Sequence, residues 1–220
     1  MSSRFTKRTG GVSHGAFASL NLGTHVGDVL EDVLRNREIL SASVGPTQYM
    51  NQVHGDRIAL IEEVTDEVPT ADALVTGIPG IALAVMVADC IPLLLTSKQS
   101  VAAVHVGRRG LVNEITRKTL SVMRDMGASQ ITAIIGPAIC GSCYEVSEDV
   151  YQEVVQAHPF AQSMTTKGTL ALDLPAALRS VLSDEGVAIV NKFTCTVESS
   201  DYFSYRRDGV TGRQAGVISI

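Results

Sequence analysis

The stretch IALAVMVADCIPLLLTSKQSVAAVHV, residues 81–106, contains three apolar runs separated by short polar segments. The first run, Ile81–Val87, is apolar throughout, which is typical of a strand buried on both faces. Two further strands are predicted by the runs Pro92–Thr96 and Val101–Val106. An acid and a thiol, Asp89 and Cys90, lie between the first two strands, where burying a carboxylate costs free energy unless the group has a partner.

On either side of this stretch, helical spacing of apolar residues predicts helices at Val29–Ser43 and Leu111–Met126. End signals predict two more, at Ser147–Ala157, with acidic residues in its first turn, and at Pro175–Asp184, which opens with proline and is followed by Gly186. Ser147 is expected to be the N-cap of the third helix. Further strands are predicted at Arg57–Glu62, Ile131–Ile135, Val187–Val190 and Gly216–Ile220. The mixture lacks a regular βαβ rhythm, which favours an α+β fold of mixed β-sheets packed with helices over a doubly wound sheet. The length suits a single compact domain, residues 1–220.

Composition argues against several classes of protein. The net charge is −5 and no basic cluster is present, so neither nucleic acid nor a membrane surface is expected as a partner. No apolar run approaches the roughly 18 residues of a transmembrane helix, and the basic N-terminus lacks the apolar segment of a signal peptide. Four cysteines are too few for a disulfide framework, so we expect a cytoplasmic protein with reduced thiols.

The N-terminal segment Thr6–Asp28 contains five glycines and reads as a loop. Loops of this length are usually functional or disordered. The segment is therefore either a substrate-binding loop or an unstructured N-terminus.

Three residues with metal-ligand side chains, His54, Cys90 and His105, each lie at a predicted strand boundary beside a turn. Strand ends are where side chains from separate parts of a sheet can meet. Two imidazoles and one thiolate form a catalytic zinc set with one open position. The spacing matches no short metal motif, so an alternative stays open: His54 caps a turn, His105 is a core histidine and Cys90 is a small buried side chain.

The whole chain resembles the YfiH family, also called DUF152, whose members are described as laccase-like polyphenol oxidases and as purine nucleoside phosphorylases. The resemblance is carried by ordered blocks, among them FTKRTGGVS (Phe5–Ser13), SLNLGTHVGD (Ser19–Asp28), QVHGD (Gln52–Asp56), ADALVT (Ala71–Thr76), ADCIPLLL (Ala88–Leu95), AAVHVGRRGL (Ala102–Leu111) and CTVESSDYFSYRRDGVTGRQA (Cys195–Ala215). It implies a YfiH-like fold, which is similar to that of a deamidating toxin domain.

The resemblance also implies a function. The zinc ligands of the family fall on His54, Cys90 and His105. The implied activity is zinc-dependent phosphorolysis of adenosine, inosine, guanosine or S-methyl-5′-thioadenosine, with adenosine deamination as a side activity. The partners would be small purine nucleosides and phosphate, and the protein a monomer or weak homo-oligomer.

Within the shared blocks, arginines are candidates for binding phosphate, because the guanidinium fork suits its oxygens. They are Arg8, Arg37, Arg109 and Arg206, and each could instead form a surface ion pair. Ser19 and Asn21 could bind ribose, or serve ordinary turns.

Asp89, a candidate catalytic residue, has two interpretations. It accepts the second N–H of a ligand histidine, or it caps the turn before Ile91. Asp72 and Glu145 are further candidates for general acid or base.

The chain departs from the family pattern in three places. Arg108 stands where the family usually has tryptophan, which puts specificity in question. Cys140 and Cys143 spell a C-x-x-C that reads as incidental or as a second metal site. Because the chain begins close to the block at Phe5–Ser13, we expect no strand before it.

Three other functions remain as alternatives. Cys90 and His105 could serve a cysteine hydrolase or amidase. Copper could occupy the His₂Cys set with Met86 as axial ligand, but one such centre cannot reduce dioxygen by four electrons, and the chain has only five histidines. A non-enzymatic binding protein would show an apolar or charged surface stripe, and none is evident.

Overall fold

Twelve strands and six α-helices form in the computed structural model, which describes residues 1–220. The strands are β1 (Ser2–Phe5), β2 (Thr47–Gln48), β3 (Ile58–Leu60), β4 (Ala73–Thr76), β5 (Ala82–Val87), β6 (Ile91–Thr96), β7 (Val101–Val106), β8 (Thr132–Ile135), β9 (Gln162–Met164), β10 (Leu170–Leu172), β11 (Ala188–Asn191) and β12 (Gln214–Ser219). The helices are α1 (Leu30–Val44), α2 (Arg108–Val112), α3 (Ile115–Asp125), α4 (Glu148–Ala157), α5 (Leu174–Asp184) and α6 (Tyr205–Asp208).

Two mixed sheets pack face to face between helices. One has four strands in the order β1-β12-β5-β2, and the other has six in the order β11-β8-β6-β7-β4-β3. A separate antiparallel pair joins β9 to β10. In each large sheet parallel and antiparallel neighbours occur together. The predicted α+β class with mixed sheets is therefore confirmed.

Side-chain alternation along the central strands explains this layering. On β5, Leu83 and Val85 join the apolar layer between the two sheets, whereas Ala84 packs in the cluster that includes Leu40 of α1. On β7, Val104 packs on the helical side of the six-stranded sheet and Ala103 on the other. Because successive residues of a strand face opposite sides, His105 lies on the same face as Ala103, which is the inter-sheet layer.

The central strands lie where the apolar runs predict them, within one residue at each end. The predicted helix Leu111–Met126 is wrong in one respect, because it is two helices, α2 and α3. The break is at Glu114, whose backbone is left-handed with φ 61°. This change of direction lets Ile115 and Leu120 of α3 pack on the six-stranded sheet.

Two smaller expectations are also corrected. Ser147 occupies the N-cap of α4, but its hydroxyl accepts no hydrogen bond there. Residues Ser2–Phe5 form a strand after all, because their backbone pairs antiparallel with β12 from Ser219 to Gly216.

The N-terminal segment Thr6–Asp28 is a loop with one short 3₁₀ turn, and it packs on the domain. Asn36 of α1 is fully buried and donates through Nδ2 to Ser13 Oγ and to the carbonyl oxygens of Ser19 and Asn21. An unstructured N-terminus is therefore ruled out for this segment. No helix has the length and apolar character needed to cross a membrane.

Candidate metal centre and active-site cavity

The structure brings His54, Cys90 and His105 together from three separate parts of the chain. One ligand atom from each residue lies within 4.8 Å of the others. Cys90 Sγ is 3.8 Å from His54 Nε2, and the two imidazole rings meet edge to face with centroids 4.6 Å apart. His54 lies before β3 and Cys90 directly before β6. His105 is the last residue of β7 whose side chain faces the layer between the two sheets.

Asp72 positions both histidines. Its Oδ1 accepts a hydrogen bond from His105 Nδ1 at 2.8 Å and another from the backbone N–H of His54 at 2.9 Å. Its Oδ2 accepts from the backbone N–H groups of Gly55 at 2.7 Å and Val53 at 3.3 Å. With Nδ1 of His105 engaged, Nε2 is the ring nitrogen left for a metal, an arrangement typical of metal-binding histidines.

Gly107 leaves the space between the three side chains open. A Cβ at this position would lie 3.1 Å from both Cys90 Sγ and His54 Cδ2, and 3.8 Å from His105 Nε2. The absence of a side chain there therefore preserves room among the ligand atoms.

Charges within the site favour the ionised thiol. Burial raises the pKa of the Cys90 thiol, but His105 and His54 oppose this, and the net effect is a lowered pKa. Burial lowers the pKa of His105, but Cys90 and Asp72 raise it above its ordinary value. The thiolate is the form of cysteine that binds metals.

The spacing fits one tetrahedral zinc ion. Zn–S and Zn–N bonds of about 2.3 and 2.0 Å place sulfur and nitrogen about 3.5 Å apart. The separation of 3.8 Å between Cys90 and His54 agrees with this value.

A cavity of about 410 Å³ opens over the three side chains, within the range of roughly 300–1,000 Å³ for small-molecule sites. Its wall is both aromatic and cationic. It includes Tyr144, Tyr205, Arg108, Arg206, Arg213 and His25. The cavity therefore combines apolar surface with groups that attract an anion.

Comparisons with known proteins agree on the family. A family model described as multi-copper polyphenol oxidoreductase laccase matches residues 2–220. A Neisseria meningitidis protein of the DUF152 family model superposes with a TM-score of 0.91 at 41% identity, covering 99% of this chain and 93% of that one. The YfiH protein of Bacillus licheniformis superposes with a TM-score of 0.87 at 29% identity, covering 99% and 92%. The chain belongs to the YfiH (DUF152) family.

One curated relative carries a different functional name from the family description. The purine nucleoside phosphorylase of Corynebacterium glutamicum is 44% identical over 97% of this chain and 92% of its own length. The laccase description and the phosphorylase name therefore point to different chemistry.

In this YfiH-family chain, the hydrogen bonds of the Asp89 carboxylate go neither to a ligand histidine nor to its own turn. Its Oδ1 accepts from Thr196 Oγ1 and its Oδ2 from the backbone N–H of Arg206, both at 2.6 Å. The carboxylate thus ties its turn, where Asp89 itself has φ 96°, to two distant segments. Asp89 still lines the cavity, but Asp72 holds the ligand histidine.

Among the predicted phosphate ligands only Arg206 reaches the cavity wall. Arg8 donates to the carbonyl oxygen of Ala18 and lies over the Phe203 ring. Arg37 donates to the carbonyl oxygen of Leu22 and lies over the Tyr49 ring, and it does not line the cavity. Arg109 is exposed on α2.

The predicted ribose ligands Ser19 and Asn21 serve the N-terminal loop. Ser19 Oγ accepts from the backbone N–H groups of Gly10 and Gly11. Asn21 is fully buried and bonds the backbone of Gly23 and Arg213. Neither residue lines the cavity.

Sequence reasoning missed five polar residues of the wall, which are His25, Gln52, Tyr144, Tyr205 and Arg213. His25 and Arg213 lie in shared family blocks, but neither was singled out. Burial lowers the pKa of His25, and Arg213 and Arg37 lower it further. Tyr144 also lines the wall, whereas the carboxylate of the neighbouring candidate, Glu145, is exposed outside it.

Proposed function

We propose that this protein is a zinc-dependent purine nucleoside phosphorylase, with adenosine, inosine, guanosine and S-methyl-5′-thioadenosine as substrates. Adenosine deamination is proposed as a side activity. The observation that carries the proposal is the convergence of His54, Cys90 and His105 on a cavity whose wall holds arginines. The name of the Corynebacterium glutamicum relative supports it.

The zinc would be held by His54 Nε2, Cys90 Sγ and His105 Nε2, leaving one position open. When bound there, zinc supplies a Lewis acid that polarises an oxygen or lowers the pKa of water. Such chemistry serves either phosphorolysis or deamination.

Phosphorolysis joins a phosphate oxygen to C1′ of the ribose as the bond from C1′ to the purine nitrogen breaks. The bonding electron pair leaves with the purine, which gains a proton. Binding phosphate requires cations, and Arg108, Arg206 and Arg213 in the cavity lining would supply them. Arg206 is held in place because its Nη1 donates to the carbonyl oxygen of Glu145 at 2.7 Å.

The aromatic residues suit the purine. Tyr144 packs under the Arg206 guanidinium, 5.0 Å from the ring centroid, so one face of this wall combines a ring with a charge. Tyr205 and His25 also line the cavity and can offer hydrogen bonds to the base or ribose. These groups would orient the leaving base.

A cysteine hydrolase or amidase is a second candidate, because Cys90, His105 and Asp72 also form a thiol–imidazole–carboxylate line. In that mechanism Cys90 attacks an acyl carbon and His105 accepts its proton. His54 would then have no role, although it contacts both Cys90 and His105. A chelator would leave such a hydrolase active, whereas alkylation of Cys90 would inactivate it.

Copper oxidase chemistry is disfavoured by the donor set. A laccase needs several copper centres, and the chain contains five histidines in total. Met86, the axial candidate, has its sulfur 3.7 Å from Arg37 Nη2, which donates to it.

Substitution of the three ligands tests the proposal. We expect His54→Ala, Cys90→Ala and His105→Ala each to abolish purine release from nucleosides, measured by HPLC, while circular dichroism stays unchanged. The matched control is His14→Ala, because His14 is exposed and outside the cavity. Equal turnover in all three variants and the wild type would remove this site from consideration.

A further inference from the structure

A second group of metal-ligand side chains lies outside the cavity. The sulfurs of Cys140, Cys143 and Cys195 and a carboxylate oxygen of Glu198 all lie within 4.8 Å of one another. Glu198 Oε1 is 3.8 Å from Cys140 Sγ and 3.6 Å from Cys143 Sγ. All of these cysteines are free thiols.

Two short turns present the four side chains. Between Cys140 and Cys143 the chain turns back on itself, with the backbone N–H groups of Cys143 and Tyr144 both donating to the Cys140 carbonyl at 3.1 Å. Cys195 and Glu198 have the same spacing of three positions on the second segment. The C-x-x-C motif at Cys140–Cys143 therefore lies beside a C-x-x-E motif at Cys195–Glu198.

Backbone pairing fixes the two turns side by side. Ala138 and Cys195 form a parallel bridge, in which the N–H of Thr196 donates to the Ala138 carbonyl at 3.0 Å. The ligand atoms therefore meet because the main chain brings them together. Cys195 is buried, and the other two cysteines are half-buried.

From this geometry we propose that Cys140, Cys143, Cys195 and Glu198 bind a second zinc ion in a closed structural site. Thiolates select zinc over magnesium or calcium, and C-x-x-C pairs are common in structural zinc sites. Zn–S bonds of about 2.3 Å separate two sulfurs on a tetrahedral ion by about 3.8 Å, which fits a group this compact. A disulfide would use two of the thiols and leave the third beside a carboxylate.

A zinc ion at this second site would stabilise the part of the cavity wall that contains Asp89 and Ile139. Ile139, which precedes Cys140 and lines the cavity, donates its N–H to the Asp89 carbonyl at 2.9 Å. Thr196, which follows Cys195, donates its hydroxyl to Asp89 Oδ1. Zinc linking Cys140 to Cys195 therefore ties together the two segments that hold the Asp89 turn.

Metal analysis of the purified full-length protein tests this inference, independently of nucleoside turnover. We expect two zinc ions per chain, one for each group. Cys143→Ser should retain only the ion at Cys90, Cys90→Ser only the ion at Cys143, and the double variant neither. Ser147→Ala is the control, because Ser147 is exposed and its hydroxyl makes no capping hydrogen bond, and it should retain both ions.

Two further measurements keep the test decisive if Cys143→Ser fails to fold. Cobalt titrated into the metal-free wild type should give a thiolate-to-cobalt charge-transfer band in two steps, one for each site. Glu198→Cys should retain both ions and strengthen that band, because it adds a fourth thiolate. A single zinc that is lost in Cys90→Ser, a single cobalt step, or a disulfide found by mass spectrometry would overturn the inference.

Discussion

Asp72 is the residue on which the geometry of the candidate metal centre depends. Its carboxylate is fully buried and accepts hydrogen bonds from the His105 ring and from the backbone of Val53, His54 and Gly55. Burial raises its pKa, but the bonds from His105 and the backbone outweigh this, so the pKa is lowered. An ionised, acceptor-only group is what this set of donors requires.

We expect Asp72→Asn to weaken zinc binding by about 10–100-fold, because loss of such a partner misorients the ligand histidine. Competition with a chromophoric chelator measures the affinity. Asp56→Asn is the matched control, since Asp56 is exposed and pairs with Lys118 instead. Unchanged affinity in Asp72→Asn would show that the carboxylate does not position the ligands.

Substitution of Arg108 tests phosphate binding at a single residue. It lines the cavity and is held by Glu153 at 2.5 Å. A hydrogen bond to a charged group contributes about 1.5–3 kcal/mol, so we expect Arg108→Ala to raise KM for phosphate roughly tenfold or more. Steady-state kinetics at varied phosphate give this value, with Arg35→Ala on exposed α1 as the control. An unchanged KM would exclude Arg108 from the phosphate site.

At the scale of elements, an ion cluster joins α3 to the end of α5. Arg124 Nη1 lies 2.6 Å from Glu185 Oε2, and Arg117 also contacts this carboxylate. The bond from Arg124 lowers the pKa of Glu185 below its ordinary 4.5, and Arg117 adds to the effect against a smaller opposing effect of burial. The native state therefore binds this proton less readily than the unfolded chain.

We expect Glu185→Gln to lower the free energy of unfolding by about 1 kcal/mol at neutral pH. A depressed native pKa stabilises the fold above the unfolded value near 4.5, and that stabilisation disappears as the pH falls through the native value. The deficit should therefore shrink below pH 4.5. Urea unfolding across this range measures it, with the exposed pair member Glu38→Gln as the control. A deficit that persists at low pH would contradict the ionic origin.

For the whole molecule, the apolar pattern predicts the central strands well because burial on both faces leaves a continuous signature. Glu114 shows a limit of this reasoning, because its left-handed backbone separates α2 from α3 although no glycine or proline marks the break in the sequence. The strands β9 and β10 have only three residues each, which is too short for the apolar pattern to predict them.

In the candidate site, too, some residues could be predicted from the sequence and others could not. His54, Cys90 and His105 are candidates because each lies at a predicted strand boundary, but position alone leaves turn and core roles open, and the family resemblance is what favours a ligand set. The partners of Asp89, by contrast, are 107 and 117 residues away in sequence, and Arg213 reaches the cavity only through the folded chain. Such long-range contacts leave no local pattern in the sequence.

The most direct test of the central claim is an HPLC assay of base release from nucleosides, run with and without phosphate, before and after metal removal. The account predicts that purine and ribose 1-phosphate appear only with phosphate, disappear after treatment with a chelator, and return when zinc is restored. Turnover that survives complete metal removal and stops only on alkylation of Cys90 would contradict it.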